Sequence, residues 1–566
     1  MRVKLFSKKT SCQFTKASSL SDFQIKYHFS QSGSLQNRLL LILPLAFLVV
    51  FFYYPLLFIL KKAFYSNGIF SFDIIKNVLT QPWQQSVILF TFKQAVYSLF
   101  LTILIGLPIT FILTNYDFPG KKLIKAICMI PFVLPGITVA LGFILFYGQQ
   151  GFINQFLSLL NLKVSVLYSL KAILLAHAFY NVPLFIKMLG DTLENFNKHL
   201  IIAARTLGKN KFQTFVKVII PCITPSLLNV SLLIFLYCFM SFGIVLVLGD
   251  VKYTTIEVNI YILVKHLLET EKGIALSFVQ ILMSVVMLNL SYYFSRKQAH
   301  ISGMIRGSEN FVTPLFKQLN IIKILSITTL ILFMIFTIAP LLSIFVFAFK
   351  NYSSYLSELF QYDPIIGSNM FQPVLNSLVL GLLVSFFSVG ISLMFRISLS
   401  GFKYRRLIEN LILLPLGISG ITFSLGYLFL FSQANIKPFI LLIIAQTIIC
   451  LPFSYSSVSN AIDGIHANIV YSAQSLGAGF FKVHSKVIIP LIINPIITAL
   501  MFSFAISLGE ISSASMLADG FVTIPVGIYR YISARQFASA TNMSLILILT
   551  ALIVFTISER LKYRKS

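Results

Sequence analysis

The sequence predicts an all-α polytopic membrane protein with about twelve transmembrane helices in two parallel six-helix repeats. Two observations support this fold class. Hydrophobic residues occupy 57% of the 566 positions, charged residues occupy 11%, and the mean hydropathy is +0.88, a balance that excludes an ordinary soluble globular domain. In addition, several short motifs occur once in each half of the chain, in the same order. This recurrence indicates that one unit was duplicated and fused, and two copies with even helix counts have the same orientation.

Twelve apolar stretches approach the ~20 residues that a helix needs to cross a bilayer. They are predicted at 39–60, 94–114, 123–147, 169–189, 219–248 and 274–294 in the first half, and at 321–349, 376–397, 408–431, 438–458, 487–508 and 542–557 in the second. The first stretch is long enough to span and lacks the ending of a cleavable signal, so it is expected to be retained. An even number of spans places both termini on one side of the membrane.

Basic residues predict which side that is. Lys and Arg number 44 against 17 Asp and Glu, and the excess falls between spans, so it indicates membrane topology and not a surface for nucleic acid. The N-terminal tail, alternate loops, the mid-chain connector and the C-terminus are basic, although Lys61 and Lys62 lie on the opposite side. We therefore expect a cytoplasmic tail (1–38), a first repeat (39–295), a cytoplasmic connector (296–320) and a second repeat (321–566), with both termini in the cytoplasm.

The chain carries no pattern typical of catalysis or of a bound cofactor. Its five cysteines show no paired spacing, which argues against a disulfide framework and a metal site. The histidines are dispersed without a His-Glu-Xaa-Xaa-His pattern, and neither Gly120-Lys121 nor Gly208-Lys209 belongs to a phosphate loop. We expect no catalytic residue, metal or cofactor in this chain, and any use of ATP would need a separate subunit.

One polar loop occurs twice between apolar stretches. It reads Ile-Ala-Ala-Arg-Thr-Leu-Gly at 202–208 and Tyr-Ser-Ala-Gln-Ser-Leu-Gly at 471–477, and thirteen residues after each glycine comes the proline of an Ile-Ile-Pro, Pro221 or Pro490. A second motif, Gly-Ile-Thr-Val-Ala-Leu-Gly at 136–142, recurs as Gly-Ile-Thr-Phe-Ser-Leu-Gly at 420–426. The repeated loop predicts that the chain engages two copies of a soluble partner, since an ordinary interhelical loop does not explain its duplication with matched spacing.

The loop composition predicts a helix, a break and a second helix. Ala203 and Ala204 favour a helix without bulk, which allows close packing in a groove of a partner. Gly208 can adopt the left-handed conformation that ends a helix. A proline near the first turn of the following helix, as at Pro221, is tolerated.

These motifs resemble the transmembrane subunits of type I ATP-binding-cassette (ABC) importers. The family motif reads Glu-Ala-Ala, three residues, Gly, nine residues, an apolar residue and, two further on, Leu-Pro. Here Ile202 and Tyr471 replace its glutamate, and Ile220 and Ile489 replace its leucine. The resemblance implies that the loops are coupling helices for two ATP-binding subunits, with the ATPase-coupling positions Ala203, Ala204, Gly208, Pro221, Ser472, Ala473, Gly477 and Pro490. It also implies a multi-pass protein of the bacterial inner membrane that works with an extracytoplasmic solute-binding protein.

A chain in which two such halves are fused is similar to the permeases of the iron(III) and thiamine class. The segments 252–261 and 555–561 look most like thiamine permeases. The implied function is inward movement of thiamine or iron(III) by alternating access. The residues alone do not separate a vitamin from a chelated metal ion.

Four polar residues within predicted spans are candidates for a translocation path: His177, Asn181, Gln446 and Glu510. His177 and Gln446 occupy equivalent places in the two halves, which suggests that they face each other, and Glu510 lies at an outer helix end where it could attract a cation. Such groups are costly within a membrane and often mark a path. The alternative is that all four are hydrogen-bonded packing residues.

Two other function classes agree less well with the sequence. A twelve-helix secondary active transporter shares the parallel-repeat architecture, but it needs an ion-coupling site, and the predicted spans contain few carboxylates. A membrane scaffold or sensor would need a larger soluble domain than the polar segments provide. The duplicated loop favours the ABC permease over both.

Overall fold

The structure is a computed structural model that describes residues 34–563 except 67–68, 198, 306–312, 317–319, 351–358, 401, 432–435 and 519. Most of the expected tail, 1–38, therefore lies outside the described residues, and the expected connector, 296–320, is described in part. The division of the chain into tail, two repeats and connector at these boundaries stays a prediction.

Long apolar helices dominate the described residues. In the first half the helices are α1 Ser34–Leu48, α2 Tyr54–Phe64, α3 Asp73–Thr80, α4 Pro82–Asn115, α5 Lys121–Val133, α6 Gly136–Tyr147, α7 Phe152–Ser158, α8 Leu170–Glu194, α9 His199–Thr206, α10 Lys211–Thr214, α11 Ile220–Phe239, α12 Gly243–Leu248, α13 Ile256–Lys265 and α14 Thr270–Ile305. In the second half they are α15 Ile321–Lys350, α16 Phe371–Ser398, α17 Arg405–Leu413, α18 Gly420–Phe431, α19 Pro438–Asp463, α20 Ala467–Ser475, α21 Phe480–Val483, α22 Ile489–Leu491, α23 Ile493–Gly509, α24 Ser512–Leu517, α25 Ile524–Ser533 and α26 Phe537–Tyr563.

Within the described ranges, ten helices are long and apolar enough to cross a membrane, and two sharply bent helix pairs raise the number to twelve. The bent pairs are 405–417 with 420–431, at 98°, and 480–491 with 493–509, at 72°. This confirms the predicted all-α membrane fold. Many long apolar side chains on these helices are exposed, such as Leu104 and Leu332, as expected where a helix faces lipid.

Four predicted spans contain a break. The stretches 408–431 and 487–508 fall on the two bent pairs, and 219–248 is divided between α11, which ends at Phe239, and α12, which begins at Gly243. The stretch 123–147 is not one helix, because α5 ends at Val133 and α6 begins at Gly136. Leu134 and Pro135 between them are both extended. Proline disfavours the helical conformation of the residue before it and lacks an N–H for the helical ladder. Hydropathy does not register this break, since both residues at the junction are apolar.

The first long helix of each half packs against the other half. Helices α1 and α2 contact α16 and α18 of the second half, and α15 contacts α6 of the first. The Tyr53 hydroxyl donates to the Leu411 carbonyl at 2.9 Å, and the Tyr427 hydroxyl donates to the Phe51 carbonyl at 2.6 Å. The two repeats are therefore interlocked, and one large core contains side chains from both.

Three two-stranded pairs complete the described structure. Strands β1 Tyr65–Ser66 and β2 Ile69–Phe70 pair antiparallel, as do β5 Tyr362–Asp363 and β6 Ser368–Asn369, whereas β3 Tyr116–Asp117 and β4 Thr313–Pro314 pair in parallel.

The β3–β4 pair fixes the connector to the first half. Tyr116 pairs with Thr313, and Leu315, the residue directly after β4, is 1% exposed in a small core with Phe118 and Leu330. This part of the connector is therefore packed into the fold.

Candidate functional site: paired loops and buried polar groups

The first repeated loop ends helix α9 with a Schellman motif. The N–H of Gly208 donates to the Arg205 carbonyl at 2.9 Å, and the N–H of Lys209 donates to the Ala204 carbonyl at 3.1 Å. Gly208 has φ +79°, a conformation that side chains with a Cβ rarely adopt. The sequence-based prediction of a left-handed glycine at the end of this helix agrees with this backbone.

The second loop repeats this geometry after helix α20. The N–H of Gly477 donates to the Gln474 carbonyl at 2.9 Å, the N–H of Ala478 donates to the Ala473 carbonyl at 3.1 Å, and φ of Gly477 is +80°. Apart from the two adjacent residues, no atom of the described part of the chain lies within 4 Å of the position that a Cβ would take on Gly208 or Gly477. Both positions therefore need glycine for the backbone angle and not for space.

Each loop presents apolar side chains to solvent at matching positions. Leu207 and Leu476, directly before the glycines, are 80% and 88% exposed, and Phe212 and Phe481 are 75% and 63% exposed. Of the predicted small residues, Ala204 is buried, while Ala203 and Ser472 are exposed and Ala473 is partly buried. Exposed apolar side chains at equivalent places in two loops are typical of a surface that a partner covers.

A π-helical turn precedes each loop proline, and the sequence did not predict it. These turns cover Phe215–Ile219 and His484–Ile488, and Pro221 and Pro490 lie in the first turn of the helices that follow. The N–H of Ile220 reaches back to the Phe215 carbonyl. Because proline has no N–H, the helical ladder is already interrupted at this point, which makes a wider turn less costly.

Ion pairs fix the helices that lead into the loops. Lys125 of α5 pairs with Glu194 at the end of α8. In the second half, Asp463 at the end of α19 pairs with the buried Arg396 and, at 2.8 Å, with Arg405. Each pair joins the helix before a loop to neighbouring helices.

The second-half network extends further than the first. Arg405 Nε donates to Glu409 Oε1 at 2.7 Å, and the Tyr455 hydroxyl donates to the same oxygen at 3.0 Å. The Arg396 Nε has no hydrogen-bond partner. The attachment of α19 is thus more extensive than that of α8.

The candidate path residues bond within their own halves. His177 Nδ1 lies 2.9 Å from Ser98 Oγ, and its Nε2 lies 2.9 Å from Ser241 Oγ. The Ser507 hydroxyl donates to Gln446 Oε1 at 2.5 Å. The structure does not join His177 to Gln446 by a hydrogen bond.

Two of these residues retain unused polar atoms. The Asn181 amide donates to Cys238 Sγ at 3.2 Å, but Asn181 Oδ1 has no partner, and neither has Gln446 Nε2. Glu510 Oε1 accepts the backbone N–H groups of Ser512 at 2.8 Å and Ser513 at 3.1 Å.

Sequence reasoning did not single out Glu257, a fully buried carboxylate. It is 1% exposed and bonds to Gln280 and Ser419. A signal was present, because Thr-Ile-Glu-Val-Asn-Ile-Tyr at 255–261 recurs as Thr-Ile-Pro-Val-Gly-Ile-Tyr at 523–529, so Glu257 is acidic where the second copy has Pro525. Among the residues that the structure describes, no group of three or more His, Cys, Asp or Glu side chains could hold a metal ion.

Comparison with known proteins adds family information. Residues 102–300 match the family described as the binding-protein-dependent transport system inner membrane component. The chain is 25% identical over 498 residues to the thiamine transport system permease protein ThiP of Escherichia coli (strain K12), covering 85% of this chain and 90% of that protein. The corresponding protein of Haemophilus influenzae is 27% identical over 497 residues, covering 84% and 88%.

A solved bacterial ABC transporter involved in import of the acidic polysaccharide alginate matches 46% of this chain and 94% of its own chain. The sequence identity is 20% and the TM-score is 0.39.

Proposed function

We propose that this chain, which belongs to the binding-protein-dependent ABC importer permeases, carries thiamine inward across the bacterial inner membrane. Similarity to thiamine permeases extends over about 85% of the chain, and this breadth supports thiamine over other solutes. Iron(III), the other solute of the class that the sequence resembles, has no comparable support.

The observation that carries the proposal is the pair of matching loops. Their closing hydrogen bonds agree in length, their glycines have φ +79° and +80°, and each exposes a leucine and a phenylalanine. A carrier driven by an ion gradient has no use for two such surfaces. Two soluble subunits that act together, as ATP-binding subunits do, would each cover one loop.

The remaining parts follow from this assignment. Ala203, Ala204, Gly208, Pro221, Ser472, Ala473, Gly477 and Pro490 form the coupling positions. The chain itself hydrolyses no ATP, and both loops and both termini face the cytoplasm, as the distribution of basic residues indicates. An extracytoplasmic solute-binding protein delivers thiamine on the opposite side.

The geometry gives a route for coupling. When the ATP-binding subunits close, they carry the loops with them, and the ion pairs at Glu194 and Asp463 transmit the displacement into α5, α16 and α17. Because the first helices are exchanged between halves, rotation of one half also moves a helix packed against the other. The central surfaces thereby alternate between access from outside and from inside.

Uptake of labelled thiamine tests the proposal. A thiamine-requiring bacterial strain without its own permease should accumulate thiamine when this chain is expressed together with its ATP-binding and solute-binding partners. Depletion of ATP should stop uptake, whereas collapse of the proton gradient at constant ATP should not. Uptake that depends on the proton gradient would favour the secondary carrier. Uptake of iron(III) without thiamine would reject thiamine as the solute.

A further inference from the structure

A carboxylate lies at the contact between the two halves. Glu257, in α13 of the first half, accepts a hydrogen bond at its Oε2 from the Ser419 hydroxyl of the second half at 2.5 Å. Its Oε1 accepts from the Gln280 amide at 2.6 Å. Gln280 Oε1 in turn accepts from the Thr422 hydroxyl, again across the halves, at 2.6 Å. Two of these three bonds therefore exist only while α13 and α14 lie against α18.

This network lies deep in the membrane. Gln280 follows the first residue of α14 by ten positions, which places it ~15 Å along the helix axis at 1.5 Å per residue. The hydrocarbon core is ~30 Å thick. A carboxylate at about half that depth is expensive to keep and by default marks a functional position.

The network is present at one of two equivalent contacts. Where the first half has Glu257, the second has Pro525, and where the second half has Ser419, the first has Pro135. The helices that carry these prolines also meet, since α25 contacts α6 as α13 contacts α18. Proline has neither a carboxylate nor a hydroxyl, so this contact forms without the bond. Simple adhesion between the halves does not require Glu257.

A second carboxylate lies beside the same turn. A Cβ on Gly420, the residue after Ser419, would be 3.2 Å from Glu510 Oε1. Ser513, whose N–H binds Glu510, has a fully buried hydroxyl with no hydrogen-bond partner. The turn at 419–420 is thus flanked by two carboxylates and an unused hydroxyl, an arrangement suited to a positively charged group.

We propose that Glu257 determines specificity for a cationic solute: it is bonded to Ser419 while the halves are closed and pairs with the solute once Ser419 has moved away. This inference rests on the proposed function, since thiamine carries a permanent positive charge on its thiazolium ring. In the closed arrangement the serine hydroxyl and the glutamine amide satisfy the carboxylate. In the open arrangement the solute cation replaces the serine.

Two substitutions distinguish the effect of the Glu257 charge from the effect of its hydrogen bond with Ser419. Glu257→Gln keeps the size and hydrogen-bonding capacity of the side chain but removes its charge. We expect the KM for thiamine uptake to rise about tenfold or more, as for loss of a charged hydrogen-bond partner, while uptake of a neutral analogue without the quaternary nitrogen changes little. Ser419→Ala keeps the charge and removes the bond between halves. It should leave the KM near wild type and raise the ATPase rate measured without solute.

Ser377→Ala is the matched control. Ser377 is a buried serine whose hydroxyl accepts the N–H of Ile524 at 2.8 Å within the second half. It should change neither the KM nor the solute-independent ATPase rate. Equal KM values for Glu257→Gln and wild type would overturn the role in specificity, provided that both proteins have the same melting temperature.

Cross-linking tests whether the contact between Gln280 and Thr422 opens, and it needs no solute. Cysteines at Gln280 and Thr422, joined by a short bifunctional thiol reagent, should react at clearly different rates in the nucleotide-free and vanadate-trapped complexes. Equal rates would reject movement at this contact. Absence of thiamine uptake by the wild-type complex would instead reject the proposed function and the cationic solute. The cross-linking result would still show whether the contact moves.

Discussion

Gly142 of the first half lies directly against the backbone of Pro340 in the second, so that a Cβ on Gly142 would be 2.8 Å from the Pro340 carbonyl oxygen. The equivalent contact joins Gly426 to Pro55, at 3.0 Å. These glycines close the two copies of the repeated segment that begins at Gly136 and Gly420. Their role is a close approach between helices, made twice where the first helix of one half crosses the other.

Substitution of these glycines should destabilise the assembled bundle. Because a backbone carbonyl oxygen is among the nearest atoms at both positions, a methyl group at Gly142 or Gly426 forces the helices apart at a cost of about 1–3 kcal/mol each. Thermal unfolding in detergent should show lower melting temperatures for Gly142→Ala and Gly426→Ala. Gly390→Ala is the control, since nothing lies within 4 Å of its Cβ position in α16, and it should be neutral or stabilising. A control that unfolds as early as the two variants would contradict the packing argument.

Substitution of the loop glycines Gly208 and Gly477 should impair the loops because both residues have a positive φ. Gly208→Val and Gly477→Val place a β-branched residue at positive φ, at a cost of about 1–3 kcal/mol to the loop. We expect less copurified ATPase and less uptake in each single variant, and almost none in the double variant. Gly479→Val is matched in position but has φ −69° and open space at its Cβ, so it should retain both. Normal uptake by well-expressed Gly208→Val and Gly477→Val proteins would remove the coupling assignment.

The ion pairs before the two loops should differ in strength. Asp463→Asn leaves Arg396, whose side chain is 6% exposed, without its charged partner, and we expect a loss of about 2 kcal/mol. The Lys125–Glu194 pair is 39% and 37% exposed, so Glu194→Gln should cost about 0–1 kcal/mol. Unfolding of the purified complex measures both. Uptake per bound ATPase should fall for both substitutions and fall further for Asp463→Asn, and equal effects of the two substitutions would reject this difference.

Membrane orientation can be read from two exposed positions. A membrane-impermeant thiol reagent applied to intact cells should label Ser158→Cys, which lies in an expected outer loop, but not Ser475→Cys in the second coupling loop. Permeabilised cells should label both, which controls for reactivity. Residues Ser308, Ser357 and Ser566 would serve the same purpose but lie outside the described residues. Labelling of Ser475→Cys from outside would invert the topology.

The repeated local patterns were predictable, whereas the contacts between them were not. The left-handed conformation at Gly208 and Gly477 follows from the residue types around each glycine, because a helix end is a local event. The break at Pro135 was missed because hydropathy reports apolar character and not backbone continuity. The bond between Glu257 and Ser419 joins residues that are distant in sequence, and no periodicity encodes which helices meet.

The placement of the candidate path residues shows the same limit. His177 and Gln446 occupy corresponding positions in the repeat, and correspondence alone suggested a shared interface. Each bonds to a serine of its own half, Ser241 or Ser507, and that the two face each other stays a prediction. Equivalent positions in a duplicated chain can receive equivalent neighbours, and the halves meet at other places, such as the exchanged helices and the contacts of α13 with α18 and of α25 with α6.

The exchange of first helices also bears on how the protein is made. As the chain is synthesised from its N-terminus, α6 enters the membrane with the Gly142 surface uncovered, and α15, which supplies Pro340, follows only after the connector. Likewise, α1 and α2 are inserted long before Gly426 exists. Neither half completes its packing alone, so maturation of the first must wait for the second. Having both on one polypeptide ensures that the missing helix is always supplied, in equal number and from the same ribosome.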